Sequence, residues 1–268
     1  MCKSNDRMIV SVDAEWCKRR DENNLEVECH LTTQLLIQIP GHGERLFVYY
    51  NPRYIDIFDA NISRYMRDFY KTMPNGTPTP KFIPMAVNNE TFLFEDLMTR
   101  IISELDVGED AFQSVQINFF FSLRDLYYLF SESYISQFFS SNFKDKIGWI
   151  TGKNAIFGKI LSRCGRRITL QDYSGLSKSF AGLLSLLNID HPLKESINKL
   201  DMERELVENF KSFLNYAILD VVTLARCEKK ILSKIKHISQ NILGLSAKPR
   251  NSYEKAPCTN IIFTNRGS

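Results

Sequence analysis

Two carboxylates stand two residues apart near the amino terminus, Asp13 and Glu15 in "IVSVDAEWC". The apolar residues around them predict a buried strand, and side chains two apart on a strand point to the same face. The pair is therefore expected side by side, where like charges repel each other. A strand end that faces water would explain it without any function. A divalent cation held between the two groups would give the pair a function, because such cations take carboxylate oxygens as ligands.

Two further acidic positions have a suggestive context. Asp125 stands just past the end of the apolar strand "INFFF", where α/β sheets hold ligands. The helix dipole would also favour an acidic residue there, in the first turn of a helix. In "NYAILDVVTLARC", Tyr216 and Asp220 are four apart on a predicted helix and share a face. An aspartate among apolar residues needs a partner, and one helical turn away stand only Tyr216 and Leu224, so a metal ion is the better interpretation.

These positions need a scaffold that brings distant segments together. Three strand-like runs come first, "MIVSVDAEW", "EVECHLTTQLLIQIP" and "RLFVYYNP", and the glycines between the last two favour a hairpin. Helical periodicity follows at 56–73 and in "ETFLFEDLMTRIISEL", while the prolines of "PNGTPTPKFIP" predict a loop. Next come the strand "SVQINFFF", the helix "SLRDLYYLF", the strand "RRITLQDY" and the helix "SKSFAGLLSLLNI". From Met202 to about Leu243 the pattern is helical with one break.

This order predicts an α/β fold, a mixed sheet with three antiparallel strands first, flanked by helices. We expect one domain over residues 1–243, with an insertion at about 51–90 as one option, and a loose tail at 244–268 or the start of a missing region. Residues 131–167 are compatible with an insertion or a hairpin.

The composition of the chain narrows the classes of protein to which it could belong. The chain has 268 residues, 44% hydrophobic and 24% charged, which predicts a folded core. A net charge of +3 is too small to indicate by itself that the protein binds nucleic acid. None of the six cysteines forms a zinc-knuckle or redox pair, and neither a signal peptide nor a run of about 18 apolar residues is present. We therefore expect a soluble, intracellular protein without membrane contact.

The ordered set of Asp13, Glu15, Asp125, Tyr216 and Asp220 resembles the DEDD 3′→5′ exonucleases, in the subgroup with a tyrosine in the last motif, on a ribonuclease-H-like fold. The resemblance implies two divalent cations, Mg²⁺ or Mn²⁺, about 3.5–4 Å apart. Asp13, Glu15 and Asp220 would hold the ion that activates water. Asp13 and Asp125 would serve the second ion, with Asp125 acting directly or through water. Tyr216 would orient the attacking water.

A finer resemblance, within a match over about residues 8–232, is to the exonuclease domain of protein-primed type-B DNA polymerases of phages and linear plasmids. It implies a substrate-phosphate contact from Lys194, with the apolar Ile197 three residues further on, although a solvated loop lysine would look the same. The chain departs from the family at Phe121. The family usually has an asparagine at this position, or a histidine nearby, that helps hold the terminal nucleotide, and Ser122 would substitute for it in part. The long polymerase domain is also missing, which leaves a free-standing nuclease or an excised domain.

The implied substrate is a single-stranded DNA 3′ end, with proofreading beside a polymerase domain or subunit as the expected setting. RNA is the alternative substrate, and a non-catalytic nucleic-acid-binding or polymerase-assembly module on the same fold is the alternative class. Retention of all four carboxylates and the tyrosine argues against the module. Basic and aromatic residues could line a groove for the strand, although most of them would equally suit a solvated helix face or the core. They are the segments 163–167 and 248–250, Arg226, Lys229, Lys230, Lys234 and Lys236, and the rings of Phe121, Tyr127 and Tyr173.

Overall fold

The computed structural model describes residues 7–20, 22–85, 93–120, 123–142, 157–190 and 197–246. The chain divides into two compact units, Met1–Lys230 and Ile231–Ser268, and the sheet belongs to the first. Within the described ranges, every helix is too short or too polar to cross a membrane.

Within the part of the chain that the structure describes, seven strands form one mixed sheet in the order β4-β3-β2-β1-β5-β7-β6. The strands are β1 (Met8–Arg20), β2 (Glu26–Ile39), β3 (Gly43–Tyr50), β4 (Pro80–Pro84), β5 (Ser114–Phe119), β6 (Phe157–Arg163) and β7 (Arg166–Asp172). β1, β2 and β3 form an antiparallel meander, and β5 then lies parallel to β1 and to β7. The prediction of a mixed α/β sheet that starts with three antiparallel strands is confirmed.

Helices cover both faces of this sheet. They are α1 (Ile55–Thr72), α2 (Leu93–Leu105), α3 (Leu123–Phe130), α4 (Glu132–Asn142), α5 (Phe180–Leu187), α6 (Met202–Glu208) and α7 (Phe210–Ser246). Asp201 caps α6 by accepting the Arg204 N–H, and Asn209 separates α6 from α7. The predicted long helical region with one break is therefore confirmed.

Two apolar clusters lie on opposite sides of the sheet, because alternate strand residues point to opposite faces. Val10, Val12, Val115, Ile117 and Phe119 pack with α2 and α3 in the first cluster. The other cluster joins β2 and β3 to α1, α6 and α7. The two sides are called the α2 face and the α7 face below.

Two sequence predictions about loops were wrong in part. The proline-rich loop ends earlier than expected, since Pro80–Pro84 form the edge strand β4, parallel to β3. An edge strand tolerates proline, because the amides on its outer side need no partner. β1 also continues beyond the predicted run that ends at Trp16. It extends to Arg20, which pairs with Glu26, so part of the connection between the first two predicted strands is itself strand.

Candidate metal centre

Asp13 and Glu15 lie on the α7 face of β1, directly before an irregularity in its pairing with β2. Asp13 pairs with Gln34 and Glu15 with Thr32, and the register shifts between Glu15 and Trp16. Bulges of this kind bend a strand and re-aim side chains, and they are frequent beside active sites. Both carboxylates are half-buried at this bend.

Asp220 completes a set of three carboxylates. It lies on α7, is 6% exposed, and its carboxylate lies with those of Asp13 and Glu15 so that one oxygen of each falls within 4.8 Å of the others. Two residues from a strand and one from a helix about 200 positions later thus offer only hard oxygen donors to one point. That donor set suits Mg²⁺ or Mn²⁺ and could hold a metal ion.

Asp125, on α3, reaches the same part of β1 as the other three carboxylates. The ladder between β1 and β5 ends at Ser11, and the Ala14 N–H, three residues further on, donates to Asp125 Oδ1 at 3.1 Å. Asp125 is 2% exposed, and its charge acts on Glu15. The fourth carboxylate is therefore tied to the backbone between the first two.

The electrostatics of the set favour a cation or a proton. Burial raises the pKa of Glu15 well above its ordinary value, and the charges of Asp13, Asp220 and Asp125 raise it further. A hydrogen bond between the carboxyl groups of Glu15 and Asp13 works in the same direction. Without a cation the pair accordingly binds a proton more readily than separate carboxyl groups would, and a divalent ion would displace that proton.

Tyr216 lies one helical turn before Asp220 and is 4% exposed. Burial raises the pKa of its hydroxyl, followed by the charges of Asp220, Glu15 and Asp13 and a hydrogen bond with Asp220. The hydroxyl therefore stays protonated at neutral pH and acts as a hydrogen-bond donor. Lys199 Nζ lies 5.3 Å from the centre of the Tyr216 ring, a contact that the sequence did not suggest.

The structure brings together only part of the expected substrate contacts. Lys194, Phe121 and Ser122 lie outside the described residues, so their roles stay predictions. Tyr173 is 1% exposed and cannot stack on a base, which corrects that expectation, whereas Tyr127 is half-buried.

Several of the basic residues contact the protein itself. Arg163 pairs with Glu95 at 2.6 Å, Lys229 pairs with Glu44, and Lys230 donates to the carbonyl of Leu187. These interactions weaken the case for those three cations as a groove for nucleic acid.

A second polar group on the α7 face was missed. Gln116 and Asn118 of β5 hydrogen-bond the buried Glu228 of α7. The alternation of "VQINF" carries the signal, because both amides must share one face of an otherwise apolar strand. The interpretation of "SVQINFFF" as an apolar strand leaves these two amides without an explanation.

Comparison with protein-family models and with curated proteins finds no match to this chain. The site therefore has to be interpreted from its own geometry.

Proposed function

We propose that this protein is a metal-dependent 3′→5′ exonuclease that acts on single-stranded DNA ends, as a proofreading module of a type-B DNA polymerase. The observation that carries the proposal is the convergence of Asp13, Glu15 and Asp220, with Asp125 bound to the backbone between the first two. The strand arrangement, a three-stranded meander followed by strands parallel to β1, is compatible with the ribonuclease-H-like fold that the resemblance implies.

Two divalent cations at this set would activate water and neutralise charge on the scissile phosphate. Asp13, Glu15 and Asp220 would hold one of them, and Asp13 with Asp125 the other. Hydrolysis would join the water oxygen to phosphorus and break the bond to the 3′ oxygen of the preceding nucleotide, which takes up a proton. A nucleoside 5′-monophosphate would leave.

Tyr216 has a defined part in this scheme. Its hydroxyl keeps its proton, because burial and three nearby carboxylates raise its pKa. It would therefore orient the attacking water by hydrogen bonding and would not remove a proton from it. Phenylalanine at this position should lower the rate while metal affinity is retained.

The test uses a 5′-labelled single-stranded oligonucleotide with Mg²⁺ or Mn²⁺, with and without chelator. We expect stepwise shortening from the 3′ end that requires metal and falls on the order of a hundredfold or more in Asp13→Asn and Asp220→Asn, because each removes a charged ligand. Glu208→Gln is the matched control, since that exposed carboxylate pairs only with Arg204 one turn away among the contacts described.

Three outcomes would count against the proposal. Cleavage that survives both aspartate substitutions would exclude this set as the site. Metal-dependent shortening of an RNA oligonucleotide in preference to DNA would replace the substrate. Binding of the oligonucleotide without any cleavage, by protein that also binds Mn²⁺, would favour the non-catalytic module.

A further inference from the structure

α7 carries a second buried carboxylate that the proposed chemistry does not use. Glu228 lies eight residues after Asp220, about 12 Å further along the helix at 1.5 Å per residue. It is 2% exposed. One of its oxygens accepts from Gln116 Nε2 at 2.7 Å and the other from Asn118 Nδ2 at 2.6 Å. Both donors belong to β5, so the contact ties the helix to the middle of the sheet.

The contact belongs to a wider polar network. Gln116 Nε2 also lies 2.8 Å from Asn118 Oδ1 and 2.8 Å from Gln171 Oε1 on β7. Arg7 Nη1 donates to Gln116 Oε1 at 3.0 Å, which identifies the oxygen end of that amide. The network therefore connects α7 with β5, β7 and the residue before β1. A buried network of this kind rigidifies the elements that share it.

The network and the carboxylate set lie on the same face of neighbouring strands. Ser11 pairs with Asn118 in the parallel ladder, and Asp13 lies two residues beyond Ser11. The helix that Glu228 ties to β5 is thus the helix that brings Asp220 against β1. Repulsion among Asp13, Glu15 and Asp220 works against that approach, whereas the two amide–carboxylate hydrogen bonds favour it.

We propose that Glu228 is a positioning residue, which holds α7 on β5 through Gln116 and Asn118 and so sets the separation between Asp220 and the carboxylates of β1. The inference rests on the proposed function in one respect, that the carboxylate set binds metal. Its effect on the helix can be measured without metal.

The protonation of Glu228 suggests an informative substitution. Burial raises the pKa of Glu228 to about 7, against the hydrogen bonds from Asn118 and Gln116 and the charges of Arg7 and Lys229, which lower it. Tyr173 also belongs to this neighbourhood, where burial and the charges of Glu228 and Cys227 raise its pKa. Near neutral pH the group carries a proton part of the time, so loss of its charge alone should be tolerated. A glutamine has one accepting oxygen in place of two, so it can accept from Gln116 or from Asn118 and should preserve only part of the contact.

The experiment compares Glu228→Ala and Glu228→Gln with Val115→Ala in the full chain. Val115 lies on the same strand, fully buried on the α2 face, so its truncation weakens the core without touching the network. We expect Mn²⁺ affinity, measured by calorimetry, to fall at least tenfold in Glu228→Ala, to fall less in Glu228→Gln, and to stay within about threefold of wild type in Val115→Ala. In chelator, hydrogen exchange across 213–227 should accelerate more than exchange in the strands of the sheet in Glu228→Ala, and to a smaller degree in Glu228→Gln. In Val115→Ala the helix and the strands should change alike.

The outcomes separate the two proposals. Wild-type protein that binds no Mn²⁺ contradicts the proposed function, and the exchange experiment then decides the positioning role alone. Wild-type exchange in Glu228→Ala, or an equal loss of Mn²⁺ affinity in Val115→Ala, would overturn the positioning role. If Glu228→Ala does not fold, Asn118→Ala takes its place, because it removes one of the two hydrogen bonds. It should lower Mn²⁺ affinity and accelerate exchange across 213–227 by smaller amounts. Its failure to do so would also overturn the inference.

Discussion

The two faces of the sheet use the same central strands in opposite ways. On the α2 face, β1 and β5 present Val10, Val12 and Phe119, which pack against apolar helix residues. On the α7 face, the alternate positions include Asp13 and Asn118 and meet the polar side of α7. On these central strands, one face therefore packs apolar side chains, while the other holds groups that repel one another or require a partner. Their separation depends on the strand register alone, because a slip of one residue would exchange them.

A cavity in the α2 face should give the largest effect. Phe119 is fully buried between the sheet and α2, so Phe119→Ala should lower the free energy of unfolding by about 3–5 kcal/mol. Urea denaturation of the metal-free protein measures this change. Leu186→Ala is the control, since that side chain is 59% exposed on α5 and should cost no more than about 0.5 kcal/mol. Equal losses at both positions would contradict the assignment of the core.

Metal should stabilise the α7 face. A cation that binds only the folded chain adds about 2.7 kcal/mol at one hundred times its dissociation constant. We expect Mn²⁺ to raise the midpoint of urea denaturation of the wild type accordingly and to have no effect on Asp220→Asn, which lacks one of the three ligands. The same shift in both proteins would place the metal elsewhere.

The smallest effect should come from neutralising Glu15 in the absence of metal. Because the folded protein raises the pKa of Glu15 above its ordinary 4.5, the fold binds this proton more tightly than the unfolded chain does. The contribution of Glu15 to the stability of the fold is fully present at pH values below its ordinary pKa. That contribution is lost as the pH rises through the raised pKa of the folded protein. Glu15→Gln should remove that decline and stabilise the metal-free protein at pH 8 by on the order of 1 kcal/mol.

Denaturation curves at pH 5 and pH 8, in chelator, check this prediction. The Gln variant should differ from wild type at pH 8 and match it more closely at pH 5. Glu208→Gln, an exposed carboxylate outside the set, should shift neither curve noticeably. A Glu15→Gln variant that is less stable than wild type at pH 8 would contradict burial and repulsion as the dominant forces on Glu15.

Local patterns in the sequence predicted the meander, the helix that carries Asp125 and the break before α7. These features depend on alternation, helical periodicity and capping, which can be recognised from residues close together in the sequence. The ordered carboxylates were also recognisable, because a strand pair and a helical spacing place each of them on a definite face. The convergence of Asp220 with Asp13 is a long-range fact and required the structure.

What the sequence could not supply depends on partners far apart in the chain. The sequence alone does not explain why Gln116 stands in an apolar strand, because its partner Glu228 lies 112 residues later. Pro80–Pro84 become a strand only because β3 offers a free edge, which no local pattern shows. The bond from Ala14 to Asp125 likewise depends on where the ladder between β1 and β5 stops.

The prolines of β4 have a consequence for self-association. The Met85 N–H donates to Tyr50 at 2.8 Å, so odd-numbered amides of this segment face β3 and even-numbered positions face outward. Those outward positions are Pro80, Phe82 and Pro84, of which only Phe82 has an N–H. A strand from another molecule would find a single donor along this border. The meander end of the sheet is thereby protected from the edge-to-edge pairing that leads to aggregation.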